Sequence, residues 1–323
     1  MGTGRDIMVT VLCIVYNHES YLRECLEGIV TQVTNFKFQV IIHDDCSTDN
    51  SADIIREYAS KYPDLIIPIF EEENVYAHVG AFDLFLRSYI KGKYFAYCEG
   101  DDYWCDKNKL QLQYDFLERF PDYTYCSTNF DIYNQEDKSK INHHIKTDYR
   151  DMLGFTFHDI NVNNYFKCWS CSPLTSMCRN INYYTLKDVR KFSRFYDLVA
   201  CYFYIKKGKG ALLENNTAVY RVHNKGIYSG NTTLNNYKIE IDILQTLYIF
   251  FHDQPILKDG ILPRMIAMVG YCRKNKRYKT LFIEIIRFCV KLPMSSFVLF
   301  KILFLNYIKN IRLQSTFEKF TEF

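Results

Sequence analysis

Val9 to Tyr16 (VTVLCIVY) is a continuous apolar, β-branched run, the pattern of a strand covered on both faces. Asn17-His18-Glu19 makes a turn, and Ser20 is placed to cap a helix reaching about Gln32, with Leu22, Cys25, Leu26 and Ile29 on one face. Phe38 to Ile42 is a second strand. It ends in Asp44-Asp45-Cys46-Ser47-Thr48-Asp49-Asn50-Ser51, small polar residues that turn the chain and cap a helix from Ala52 to Ser60, stopped by Pro63. A third strand from Leu65 to Phe70, a helix from Gly80 to Lys91 with Gly92 as its C-cap, and a strand from Tyr94 to Cys98 continue the alternation. Four alternations predict an α/β fold, a Rossmann-like, mostly parallel sheet flanked by helices.

Beyond the fourth strand the pattern loosens. Lys109 to Phe120 reads as a helix that Pro121 ends. Tyr123 to Tyr184 is aromatic, polar and weakly periodic, which predicts short mixed strands and loops. Long loops beside a rigid sheet often shape a substrate pocket. Asp188 to Lys206 reads as helical, and Gly208-Lys209-Gly210 turns into a strand, Ala211 to Val222. A helical region, Leu234 to Phe251, and a tail after Pro255 follow. The predicted division is one domain over residues 5–230, in halves 5–105 and 106–230, and a helical extension over 231–323.

Composition adds bounds. The 323 residues, 48% of them apolar or aromatic, suffice for a sizeable core. Twelve cysteines without repeated spacings, and an opening without a signal-like segment, point to a reducing, cytoplasmic setting. A net charge of +3 argues against a nucleic-acid protein. The charge is uneven, however: Arg273 to Lys319 holds eleven Lys or Arg against two acids, Glu284 and Glu318, so the rest of the chain is net acidic. In this tail, apolar clusters such as Leu281-Phe282-Ile283 and Phe297-Val298-Leu299-Phe300 are interrupted by Lys291, Pro293 and Lys301. No run reaches the roughly 20 residues that cross a bilayer. Two readings stand, an amphipathic helix lying peripherally on anionic lipid of the inner membrane and a pair of core-packing helices.

Candidate chemistry gathers at two strand ends. Glu99-Gly100-Asp101-Asp102 puts three carboxylates in four residues where the fourth strand stops, and ligands collect at such carboxyl ends in open α/β sheets. Crowded like charges raise one another's pKa unless a cation sits among them. A divalent Mg²⁺ or Mn²⁺ carrying phosphate fits these oxygen donors; the alternative is a solvated acidic turn. Asp44-Asp45 opens onto the same sheet edge and suits a base and ribose. No GxxxxGK[ST] or GxGxxG loop is present to cradle phosphate, so a pyrophosphate needs metal and basic side chains. Cys168-Trp169-Ser170-Cys171 lacks the second pair of a zinc site. His143-His144 reads as a solvated loop, and backbone groups suffice for His18 and His43.

In their order along Val9 to His223, these stretches resemble glycosyltransferase family 2, enzymes of GT-A fold. VTVLCIVYN resembles its first strand, with Tyr16 stacking on the base. IIHDDCSTDNS resembles its Asp-Asp-Gly-Ser-x-Asp motif, with Asp45 bonding the base and Cys46 replacing the glycine, which alters the expected turn. Asn74 is a looser correspondence. EGDDYW, continued by Lys109-Leu110-Gln111 and Gln113, is similar to the DXD-type motif of bacterial surface-polysaccharide enzymes. The resemblance implies that Asp101 faces the ribose, Asp102 ligates the metal and Glu99 stands in for the leading aspartate. It implies Asp197 as general base of an inverting reaction, with Asp188 as the competing position, and sets Arg221 and His223 of Tyr220-Arg221-Val222-His223 near diphosphate and metal. Trp169, Ser172 and Thr175 fall where acceptor contacts lie. The implied activity is transfer of a sugar from a nucleotide diphosphate donor, UDP-linked by expectation, to a glycan or lipid-linked acceptor, residues 5–105 binding the nucleotide and 106–230 the acceptor. A catalytically silent nucleotide-sugar or glycan-binding relative is the alternative.

Overall fold

The computed structural model describes residues 7–75, 88–145, 147–167, 172–192, 197–224, 226 and 231–292. Strands β1 (Ile7–Val15), β2 (Lys37–Asp44), β3 (Ile66–Phe70) and β4 (Tyr94–Glu99) run parallel in the order β3-β2-β1-β4. Helices α1 (Leu22–Val30) and α2 (Ser51–Lys61) follow β1 and β2. Val9, Val11, Cys13 and Val15 share one core with Leu22, Cys25, Leu26 and Ile29 of α1 and with Ile54, Ile55 and Tyr58 of α2. Each fully buried aliphatic side chain contributes about 1.5–3 kcal/mol. Ser20 does not cap α1: the helix begins at Leu22, and the His18 carbonyl accepts the N–H groups of Tyr21 and Leu22 instead. The helix expected over 80–91 lies outside the described residues up to Ser88.

The second half departs further from expectation. It holds β5 (Tyr103–Trp104), α3 (Lys109–Arg119), β6 (Tyr123–Asn134), β7 (Lys140–His143), β8 (Arg150–Met152), β9 (Phe155–Ile160), β10 (Met177–Arg179), α4 (Leu186–Val189), α5 (Asp197–Ile205) and β11 (Lys209–Val222). Short β10 lies antiparallel between β4 and β6, so the eleven strands of the described residues form a mixed sheet whose longest ladders, β1 with β2 and β6 with β11, are parallel. β6, 12 residues long, replaces the short strands expected there. α4 and α5 are separate pieces of what reads as one helix, and residues 193–196 between them are not described. β11 runs parallel to β6, while its Ala218 and Val219 pair antiparallel with Trp104 and Tyr103 of β5. That pairing carries the end of β11 to the acidic loop.

The chain divides into two compact units, Met1–Asn224 and Lys225–Phe323. The first contains the sheet. The second contains α6 (Thr233–Phe251), a π-helical stretch (Ile256–Ile261), α7 (Leu262–Lys274) and α8 (Tyr278–Lys291). The Thr232 hydroxyl caps α6 by accepting the Asn235 N–H. Lys291 and Glu284 of α8 pair with Asp242 and Lys238 of α6 at 2.7 and 3.2 Å. Among the described residues no helix is long and apolar enough to cross a membrane.

Candidate active site at the strand ends

The turns after β1 and β2 are laced together. Asn17 takes its N–H to Ser47 Oγ, His18 to Ser51 Oγ and Glu19 to Asp49 Oδ2, while Asn17 Oδ1 accepts the Thr48 N–H at 2.8 Å. Asn17 and Cys46 stand at φ 57° and 62°, a region that costs an L side chain about 1–2 kcal/mol. Cys46 therefore keeps the left-handed turn that its replacement of glycine was expected to alter. Asp45 is buried; its N–H reaches the Val15 carbonyl and its Oδ1 accepts the Val75 N–H at 2.7 Å. Asn74 Nδ2 donates to the Asp45 carbonyl at 3.3 Å. Tyr16, 45% exposed, leaves its ring open at the end of β1.

β4 delivers the acidic loop beside these turns. The Gly100 N–H bonds the Ile14 carbonyl, and a Cβ there would meet His18 Nδ1 at 2.8 Å. Only glycine allows that approach. The two adjacent aspartates then diverge. Asp102 is buried: Oδ1 accepts the Arg221 backbone N–H at 2.7 Å, and Oδ2 has no hydrogen-bond partner among the described residues. Burial, then the charges of Asp101 and Glu99, push its carboxyl well up. Asp101 stays partly exposed, with Oδ2 at 3.0 Å from His223 Nε2 and 3.7 Å from His18 Nε2. Burial raises the Asp101 carboxyl, but the hydrogen bond to His223 and the nearby His18 bring it below the usual range. Tyr21 backs the His223 ring at 4.8 Å.

All three side-chain nitrogens of Arg221 bond protein groups. Nε donates to the Asp101 carbonyl at 2.8 Å, Nη1 to Gln135 Oε1 at 3.1 Å and Nη2 to Glu24 Oε2 at 2.6 Å. Its guanidinium lies over the rings of Tyr21 and Tyr103 and is nearly buried. Through the Asp101 carbonyl it braces the acidic loop. Glu99 is exposed at the end of β4, next to the other acids of the loop. Desolvation there, then the charges of Asp101 and Asp197, push its carboxyl up to about 8. That coupling brings Asp197, at the first turn of α5, into the field of the acidic loop. Asp188 is instead tied to Thr185 N–H and Oγ1 on α4.

Beneath the loop lie three buried thiols. Cys25 Sγ stands 3.6 Å from Cys98 Sγ and 3.9 Å from Cys13 Sγ, and also reaches the Glu99 carbonyl. Beyond the loop, Trp104 Nε1 donates to the Leu174 carbonyl at 2.9 Å, and Gln113 Nε2 to that of Thr175 at 2.8 Å. Lys109, fully buried, bonds Gln113 Oε1 and sits 4.6 Å from the Trp104 ring centre. Thr175 is only 1% exposed and its hydroxyl turns to the Ser172 carbonyl. Trp169 lies outside the described residues.

The donor set fits a hard ion in part. Among the described residues no group of three His, Cys, Asp or Glu is arranged to hold a metal. The Asp101 carboxylate and His223 imidazole suit an ion that brings its remaining oxygen ligands with phosphate, as Mg²⁺ typically does. His18, Tyr21, Glu24 and Gln135 complete the site and escape the sequence reading. For His18 a signal existed, its place two residues after Tyr16 in one turn.

A family model described as Glycosyl transferase family 2 matches residues 10–181, just over half of the chain. An uncharacterized protein of Mycobacterium tuberculosis is 45% identical over 118 residues, covering 36% of this chain and 34% of that protein. A Bacillus subtilis protein named for teichuronic acid biosynthesis, the glycosyltransferase TuaG, is 33% identical over 110 residues, covering 34% of this chain and 42% of its own length. The chain thus matches well under half the length of these relatives. The crystal structure of S. aureus TarS 1–349 in complex with UDP-GlcNAc superposes with a TM-score of 0.60 at 17% identity, over 81% of this chain and 73% of that one.

Proposed function

Because the chain belongs to glycosyl transferase family 2, a GT-A fold with a mixed sheet and C-terminal helices, we propose that it is an inverting, metal-dependent transferase. It moves a sugar from a UDP-linked donor to a hydroxyl of a glycan or lipid-linked precursor of a surface polysaccharide, at the cytoplasmic face of the membrane. One observation carries this reading: Asp101 and His223 meet at 3.0 Å where β4 and β11 end, next to Glu99. The TarS complex with UDP-GlcNAc supports a UDP-linked donor, and the name of TuaG supports a cell-wall polymer.

The nucleotide base stacks on Tyr16 and bonds Asp45. Asp101 and His223, rather than Asp102, hold Mg²⁺ or Mn²⁺; when bound, the ion supplies positive charge against the diphosphate as it departs. Asp102 and Arg221 keep the loop in place. Asp197 accepts the proton of the acceptor hydroxyl while that oxygen attacks the anomeric carbon opposite the leaving group, which inverts the configuration. Trp169 is the acceptor contact of this reading.

Replacing a general base lowers the rate by about 10² to 10⁴. Asp197→Asn is expected to lower UDP-sugar turnover by that factor while calorimetry with UDP and Mn²⁺ gives an unchanged affinity. Near-normal turnover would remove Asp197 from the role. A wild-type chain that binds no UDP-sugar in a thermal-shift panel with Mn²⁺ would overturn the whole reading.

A further inference from the structure

The sequence leaves α8 either packed in a core or lying on lipid, and its geometry separates the two. Phe288 is 1% exposed and faces inward, and Glu284 and Lys291 pair with α6. The opposite side is apolar yet open: Tyr278, Phe282, Ile283, Ile286 and Val290 are 40–77% exposed. At 100° per residue these five lie within one half of the helix circumference, so they form a single stripe. The turn before the stripe carries Arg273, Lys274, Lys276, Arg277 and, on α8 itself, Lys279, all exposed. No ion pair joins these five cations among the described residues.

We propose that this stripe and its polybasic turn form a docking surface for an anionic lipid bilayer. An in-plane helix inserts its apolar side to the headgroup boundary and is retained when basic residues add electrostatic attraction. Clusters of four to eight Lys or Arg meet that second condition. The charge also selects among occupants. A second copy of this chain would bring the same excess of cations to the surface and no anionic group to meet it. The surface bears on where the proposed transferase works, and its binding is measured apart from turnover.

The test is sedimentation of the full chain with phosphatidylcholine vesicles, with and without phosphatidylglycerol, at low and high salt. The wild type is expected to pellet only with the anionic vesicles, and about tenfold less at high salt, since surface charges are screened. Phe282→Asp with Val290→Asp, and separately Lys274→Glu with Lys276→Glu, are each expected to lower binding at least tenfold while UDP affinity stays at the wild-type value. A wild type that remains in the supernatant, or variants that pellet like it, would overturn the proposal. So would a dimer in gel filtration that the Phe282 and Val290 changes dissociate without any vesicle binding. Vesicle binding by a chain that binds no UDP would leave the docking surface standing and sink only the transferase.

Discussion

Asp101 and Asp102 share a loop but not an environment, and their substitutions should separate accordingly. Asp101→Ala or His223→Ala is expected to erase the gain in UDP affinity that Mn²⁺ brings, read by calorimetry with and without the ion. Asp102→Ala leaves the Arg221 N–H without its buried acceptor, a loss of about 1–3 kcal/mol in denaturant unfolding. The reverse pattern would return Asp102 to the metal. Lys109 gives a second test. Burial lowers its ammonium from 10.5 to about 8. Between those values the unfolded chain holds a proton that the folded chain does not, so stability rises with pH, by at most about 1.4 kcal/mol per unit. Relative to Lys109→Met, the wild type should therefore gain stability from pH 8 to 10.5 and lose that gain on return; parallel unfolding curves would refute the shift. Sequence motifs mark Tyr16, Asp45, Asp101 and His223, and the last two stand 3.0 Å apart. The motifs could not tell which of two neighbouring carboxylates turns inward, because that depends on where β11 presents one backbone N–H.

Two elements meet backbone to backbone where α1 crosses β5. A Cβ on Gly28 would lie 2.6 Å from the Trp104 carbonyl oxygen, a backbone atom with little room to give. Alanine favours a helix by about 1 kcal/mol over glycine, while overpacking costs typically 1–3 kcal/mol. Gly28→Ala is expected to be destabilising by up to about 2 kcal/mol in denaturant unfolding, and an unchanged midpoint would show that α1 shifts freely. The helix pattern marked the apolar face of α1 and missed this contact, since β5 is two residues long. β6 was hidden for another reason. Its buried Ser127, Thr128 and Asn129 break the apolar alternation, and each is satisfied across the sheet, Thr128 by Thr217 at 2.7 Å, Ser127 by the Ala211 carbonyl and Asn129 by that of Glu214. Strands whose polar side chains are paid in hydrogen bonds carry no hydrophobic signature.

Across the whole molecule, what was legible follows burial. The four N-terminal strands, of which β1, β2 and β4 are largely buried, read directly as apolar runs, and the acidic turns stand out because they follow two of them. The antiparallel insertion of β10 left no trace, being three residues within a long polar stretch. The basic excess of the tail was plain from sequence, whereas the side of α8 left open required coordinates. The buried thiols of Cys13, Cys25 and Cys98 have a kinetic consequence of their own. An alkylating reagent reaches them only during transient openings of the sheet edge, so the labelling rate of their peptides, followed by mass spectrometry, counts those openings. Saturation with UDP and Mn²⁺ should slow that clock while exposed Cys105 reacts at its former pace; equal slowing of both would mean the reagent, not the protein, sets the time.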